Sequence, residues 1–422
     1  MMEESAILKK LLGEFWDKLD RIKDFTVRDA EFSDVSGKIK VAMGMRRSGK
    51  TYFVYQHIFK LIREGIPKSS ILYINFEDDR LLPTDQKKMA LLIDAFFSLY
   101  PENYDRRCYL FLDEIQNVDH WPLVVRRLQD SKDVEIYLTG SSAKLLSKEI
   151  ATSLRGRALA TEIWPYSFQE YLRAKKICLN HELYDKKTED KLTHLFLDYL
   201  TSGGFPEIVA IDNPDFKQKI LQEYIDIAIY RDIIERHGIK TTGIIKEMIL
   251  SMLHNVGRPF SINKFYNDLK SRGYSVTKDV LYDYADHIED AYLAFLVPLY
   301  DLSIRKVQTN PKKNYSIDSG IARAVTLDYE NDRDRLFENI VYLELRRLEC
   351  KVSYYLTEER YEIDFIVQST RGQKKFFQVV WNADDHATME REQRALHAGM
   401  KEQKIEGKII TLNSYLEHGL KI

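Results

Sequence analysis

Cysteine is scarce in this sequence: 422 residues contain three, Cys108, Cys178 and Cys350. They lie far apart, with no C-x-x-C pair and no histidine at ligand spacing, which argues against a disulfide framework and against a structural zinc site. Long apolar runs are missing as well. No window approaches the ~20 consecutive apolar residues of a membrane span. The opening stretch MMEESAILKKLLGEFWDKLDRIKDF interrupts its apolar positions with acids where a signal peptide keeps them together. Neither charge dominates, since 63 Lys and Arg face 65 Asp and Glu for a formal net charge of −2. The balance therefore calls for no polyanion, nucleic acid or membrane surface as partner. Repeats and low-complexity tracts are also lacking. These absences predict a soluble, cytoplasmic protein that does not engage a membrane, and its length predicts two or three domains.

What is present is a change of periodicity along the chain. Ile7, Leu8, Leu11, Leu12, Phe15, Leu19 and Ile22 recur at helical spacing and predict an amphipathic helix within residues 1–36, packed on the core that follows. Residues 37–165 then alternate strand-length apolar runs (IKVAMG, ILYINFEDD, CYLFLDE, VEIYLTGSS, RALATEI) with helical patterns such as YFVYQHIFKLIREG. That alternation predicts an α/β domain built on a parallel sheet covered on both faces. Residues 166–238 turn helical and read as a lid. Three helical patterns and an apolar run over 239–300 suggest a winged helix. An irregular, Lys-bearing connection (301–332) leads to a last α/β unit, 333–422, with strands near VSYYL, EIDFIVQ, KFFQVVW and KIITL.

Chemistry concentrates at two strand ends. Gly44–Thr51, GMRRSGKT, satisfies G-x-x-x-x-G-K-[ST] between a strand and a helix. Gly44 and Gly49 permit the sharp turn, so the amides of Met45, Arg46, Arg47 and Ser48 and the helix N-terminus can face phosphates. Lys50 is placed to reach the β- and γ-phosphates of ATP, and the Thr51 hydroxyl to ligate Mg²⁺. CYLFLDEIQ buries a strand and ends it in two carboxylates, a costly arrangement unless a cation or a reaction uses them. Asp113 is expected to hold Mg²⁺ through water, and Glu114 to orient and deprotonate the attacking water. At the end of VEIYLTGSS, Thr139 or Ser141 could bond the γ-phosphate or that water. Arg155 and Arg157 in SLRGRAL are candidates to neutralise the leaving group, in cis or from a neighbouring subunit of an oligomer. Glu77, Asp78 and Arg80 read as solvated loop charges.

With the P-loop, LDEIQ, LTGSS, LRGR, WPYSFQEYL and GGFPE in this order, the chain resembles the bacterial and archaeal AAA-type ATPases that carry a C-terminal domain of unknown function. The resemblance implies Glu114 as the base and a sheet in which the LTGSS strand is central. It also implies that the second half holds a winged-helix unit, the Lys313–Gly320 segment KNYSIDSG, and an end similar to the restriction-nuclease core. Such a core uses a helix Glu, a strand Asp and E-x-K. Glu338 and Asp364 take the first two positions, but the third reads Gln378-Val379-Val380, without its carboxylate and its lysine, so an inactive recognition module is expected.

The helix expected over Val276–Tyr292 carries Asp279, Asp283, Asp286, Glu289 and Asp290 against Lys278, which disfavours a phosphate backbone. Basic residues gather around Arg305–Lys313 and Arg333–Arg347 and leave a DNA path open. The leading expectation is a Mg²⁺-dependent ATPase that switches or remodels a protein or nucleic-acid partner. The alternatives are an ATP-gated DNA-binding or DNA-cleaving effector, and a nucleotide-binding structural protein with little turnover.

Overall fold

The computed structural model describes residues 2–141, 154, 156–177, 185–326 and 332–420. The chain forms two compact units, Met1–Trp164 and Pro165–Ile422.

The first unit is a five-stranded sheet of β1 (Ile39–Met43), β2 (Ile71–Asn75), β3 (Cys108–Asp113), β4 (Val134–Gly140) and β5 (Ala158–Glu162) in the order β2-β3-β4-β1-β5, every pair parallel. β1, β2 and β3 are almost wholly buried because helices cover both faces, which is why they read as unbroken apolar runs. β4 is central, as the family resemblance implied. The register pairs Met43 with Gly140, and Asn75 with Asp113, so β1, β3 and β4 all end on one edge of the sheet.

The N-terminal helix Met2–Arg21 finds its partner within this unit. Leu8, Leu12, Phe15 and Leu19 are buried at helical spacing, and Phe15 stacks on Tyr73 of β2 with ring centroids 4.3 Å apart. Each such side chain contributes roughly 1.5–3 kcal/mol by leaving water. Arg80 fastens the helix from outside through Glu14 at 2.7 Å while also pairing with Asp78. The charges after β2 are therefore ion-paired rather than merely solvated.

In the second unit, helix Lys186–Ser202 stops at Gly203, and helix Pro214–Ile227 runs on into a π-helical stretch, Ala228–Glu235. Helices Thr242–His254, Ile262–Ser271 and Lys278–Asp290 then accompany a small antiparallel sheet of β6 (Pro259–Phe260), β7 (Ala294–Val297) and β8 (Lys312–Ser316), with β8 in the middle. Here the expected irregular connection around Arg305–Lys313 gives way to a short helix, Ile304–Thr309, and to β8. Sequence patterning hides β8 because Lys313, Asn314 and Ser316 are polar yet buried, each with internal partners. A mixed four-stranded sheet closes the unit: β9 (Lys351–Leu356), β10 (Glu362–Gln368), β11 (Lys374–Val380) and β12 (Gly407–Thr411), with helices Arg333–Arg347 and His386–Gln403 packed against it.

Candidate functional site

The turn after β1 is shaped by backbone conformations that few residues tolerate. A Cβ on Gly44 would fall 2.2 Å from the Ile163 carbonyl oxygen and 3.1 Å from Ser48 Oγ. Arg47 and Gly49 both adopt positive φ, at 66° and 100°. Helix Lys50–Arg63 then begins with no side-chain cap on its first turn, which leaves an electropositive helix end at the turn. The Ser48 hydroxyl is buried without a partner among the described residues.

Lys50 and Thr51 meet the carboxylates of β3 here. Lys50 Nζ donates to the carbonyls of Gly44 and Met45, each at 3.1 Å, and lies 3.8 Å from Glu114 Oε1. Thr51 Oγ1 donates to Asp113 Oδ2 at 3.2 Å, and the Tyr73 hydroxyl donates to the same oxygen at 2.6 Å. Thr139 of β4 donates to Asp113 Oδ1 and accepts from the Glu114 amide at 2.9 Å, so one hydroxyl holds both acids in register. Its hydrogen bonds go to the acids, whereas those of Ser141 include Gln116. Gln116 Nε2 joins Glu114 to Ser141, reaching the latter at 3.4 Å. Burial, and next the neighbouring charge of Glu114, raise the Asp113 pKa above the usual carboxylate range, against the donors Thr139 and Tyr73 and the charge of Lys50.

A family model for an AAA domain matches residues 36–172, and one for a domain of unknown function (DUF8612) matches residues 193–332. Uncharacterized protein MJ1544 of Methanocaldococcus jannaschii is 38% identical over 419 residues, covering 97% of this chain and 91% of its own. The chain belongs to the MJ1544 family. An uncharacterized protein of Haemophilus influenzae is 35% identical over 332 residues, 78% of this chain and 79% of its own. Among solved structures, a Walker-type ATPase of Pyrococcus abyssi aligns with 73% of this chain and 100% of its own at 11% identity and a TM-score of 0.44.

In this member of the MJ1544 family, not every anticipated residue reaches the AAA-domain site. Arg46 does flank it, paired with Glu77 at 2.7 Å. Arg155 lies outside the described residues. Arg157 stands at the opposite edge of the sheet: its carbonyl accepts from the Ile39 amide at the start of β1, and its guanidinium pairs with Asp130 at 2.6 Å. Because β1 and β5 run parallel, the five residues of β1 put about 16 Å between Arg157 and the phosphate turn. Its sequence position beside a glycine carried no information about which end of the strand it would occupy.

Two contributors escaped the sequence reading. Tyr73 looked like any apolar strand residue. Arg28 lies before the first strand, yet its guanidinium is 6% exposed and donates to the carbonyls of Ser48 at 2.9 Å and Trp164 at 2.5 Å. Set among Asp24, Asp29 and Glu31, its charge reads as one of a solvated stretch and nothing in the sequence flags it.

The second unit holds a separate polar centre. Glu338 and Asp364 come together as expected from sequence, and Gln378 lies beside them. Unexpectedly, Lys313 of β8 sits among them, 1% exposed, at 2.7 Å from Glu338, 2.9 Å from Glu362 and 3.0 Å from Asp364. Burial and the Asp364 charge push Glu338 up to about 7. A cavity of about 450 Å³ opens beside this centre. No helix among the described residues is long and apolar enough to cross a membrane.

Proposed function

We propose that the protein binds Mg²⁺·ATP in the turn Gly44–Thr51 and hydrolyses it, and that the nucleotide state switches the second unit's engagement of a protein partner. The observation that carries this reading is the convergence of Thr51 and Asp113 at 3.2 Å beside Lys50 and Glu114. Two segments more than sixty residues apart in sequence thus bring a phosphate-binding lysine, two oxygen ligands and a base to one edge of the sheet.

The residues fit the ion that such a site implies. The hydrogen-bond donors to Asp113 are three hydroxyls, of Thr51, Tyr73 and Thr139, so its carboxylate sits among hard oxygen atoms suited to Mg²⁺. Thr51 and Asp113 would hold the ion, which would supply positive charge against the charge that develops on the phosphates. Lys50 leaves the carbonyls of Gly44 and Met45 to meet the phosphates. Glu114, released from Lys50 by that move, takes the proton of the attacking water, while the Gln116 amide fixes its carboxylate and reports on Ser141. Gly44, lacking a Cβ, keeps the turn close against Ile163.

The arrangement of helices Thr242–His254, Ile262–Ser271 and Lys278–Asp290 with the small sheet supports a winged-helix reading. Helix, strand, strand and strand in Arg333–Val380 support a restriction-nuclease-like core. In the third of those helices Glu289 accepts from the Leu296 amide at 2.6 Å and Asp290 is buried, which favours internal packing and protein contact over a DNA-reading surface.

Phosphate release by the wild type, Lys50→Ala and Glu114→Gln tests the reading. Lys50→Ala should lose nucleotide affinity, and Glu114→Gln should retain bound ATP without turning it over. Turnover unchanged in both variants would reject it.

A further inference from the structure

We propose that the ε-ammonium of Lys313 takes the place of a divalent cation at the centre formed by Glu338, Glu362 and Asp364, so that this centre is a closed ion cluster that admits no metal. The inference rests on the nuclease-like reading of the second unit for its interest, but on distances alone for its content, and it does not depend on the ATPase reading.

An ammonium has three N–H donors and no acceptor. Those of Lys313 are matched by three carboxylate oxygens, Glu338 Oε1 at 2.7 Å, Glu362 Oε1 at 2.9 Å and Asp364 Oδ1 at 3.0 Å. A Mg²⁺ or Ca²⁺ ion held by Glu338 and Asp364 needs oxygens within about 2.0–2.6 Å of its own centre, which is the space that Nζ fills. Of the other oxygens, Asp364 Oδ2 accepts from the Val379 amide at 2.9 Å, and the same Glu338 Oε1 that meets Lys313 also accepts from the Tyr315 hydroxyl at 2.5 Å.

Gln378 shows the same adaptation. Its Oε1 accepts from the Asp364 amide at 3.2 Å while its Nε2 donates to Glu392 of helix His386–Gln403. A carboxylate at this position could accept but not donate, and would meet Glu392 with like charge. Val380, two residues on, is buried and brings no cation. The positive charge absent at Val380 arrives instead from β8, a strand of a different sheet. Lys313 thereby ties the small sheet to β10 through ion pairs around an ammonium that is itself buried, and its removal leaves the carboxylates Glu338 and Asp364 facing each other uncompensated. The groups facing it, Glu338, Glu362, Asp364 and Tyr315, outnumber it in negative charge, and Glu338 holds a proton more tightly than a free carboxyl does.

Mn²⁺ binding to the nucleotide-free full chain, counted by electron paramagnetic resonance, tests this. Only Mn²⁺ that disappears on Glu338→Gln reports the centre. The wild type and Glu338→Gln should take up equal Mn²⁺, whereas Lys313→Met should gain about one equivalent that Lys313→Met/Glu338→Gln lacks. Lower uptake by Glu338→Gln than by the wild type overturns the proposal, and so does a folded Lys313→Met that gains none. If Lys313→Met does not fold with or without Mn²⁺, the wild type against Glu338→Gln decides alone: equal uptake supports the closed cluster and unequal uptake refutes it.

Discussion

The Gly204 amide donates to Asp318 Oδ2 at 2.7 Å, across 114 residues of sequence. The other oxygen, Oδ1, accepts from the amides of Gly320 at 2.8 Å and Ile321 at 3.2 Å, capping helix Ser319–Ala324. One buried carboxylate thus joins the GGFPE and KNYSIDSG segments, where Gly204 lies against the Tyr166 carbonyl and Gly320 against that of Ser202. A Cβ on Gly203, whose φ is +77°, would lie 1.8 Å from Asp318 Oδ1.

Asp318→Ala should therefore destabilise the second unit by about 3 kcal/mol, since each buried unsatisfied amide costs roughly 1–3 kcal/mol and three are stranded. Gly203→Ala should cost about 2 kcal/mol or more from positive φ and the clash together. Denaturant unfolding checks both. A change below about 0.5 kcal/mol in either variant would contradict the assignment.

Thr139 acts through Asp113 and Glu114 and is a positioning residue. Thr139→Val keeps the volume but removes the donor to Asp113 and the acceptor for the Glu114 amide. ATP affinity should stay within a few-fold while single-turnover hydrolysis slows by roughly 10²-fold, the scale of a misplaced catalytic group. Thr139→Ser should restore most of the rate. Equal losses of affinity and rate would point to a merely structural role.

His57 offers a pH test in the first unit. Its ring packs between Phe32 at 5.3 Å and Tyr137 at 4.7 Å, and its Nε2 finds no partner among the described residues. Burial, then the charges of Lys60 and Lys40, lower its pKa to about 4, with Asp34 opposing. The unfolded chain therefore binds this proton more readily between pH 4 and 6.5, so stability falls as pH drops through that window and levels off below it. The fall from 6.5 to about 4 corresponds to up to about 3 kcal/mol. Melting of the wild type and His57→Phe from pH 4 to 7 should show the variant losing less stability on acidification. Parallel curves would rule out His57 as a source.

Residues whose chemistry is local were legible in the sequence. Lys50 and Thr51 open the helix that follows β1, and Asp113 and Glu114 stand at the end of β3, where apolar runs announce the strand and the polar residues that break the run announce the site. Lys313 was not legible, because a lysine in a polar tract reads as solvated until the pairing of β8 with β6 and β7 draws it inside. The run Gln378-Val379-Val380 carries no lysine, and the ammonium that meets Asp364 comes from 51 residues upstream and leaves no mark on β11. Arg157 was misleading as a cis candidate for the opposite reason. Its neighbours resembled a site motif, while its place at the start of β5 is decided by register.

Arg28 gives the last prediction. Its backbone is bracketed by Gln56, whose Oε1 accepts from the Arg28 amide at 2.7 Å and whose Nε2 donates to its carbonyl at 3.1 Å, so the guanidinium enters the turn from a fixed point. There it donates to Ser48 within the phosphate turn and to Trp164 beyond β5, holding the two segments together. Hydrogen bonds from a charged donor are worth roughly 1.5–3 kcal/mol. Arg28→Ala should weaken ATP binding about tenfold and destabilise the first unit by about 2 kcal/mol, because both carbonyls lose this donor inside the fold. Arg28→Lys should rescue little, since one Nζ cannot stand where both Nη1 and Nη2 do, each donating to a carbonyl of a different segment. Calorimetric titration with ATP separates the outcomes: full affinity in Arg28→Ala would mean that the turn is preset without the clip, and full affinity in Arg28→Lys alone would reduce the role of Arg28 to its charge.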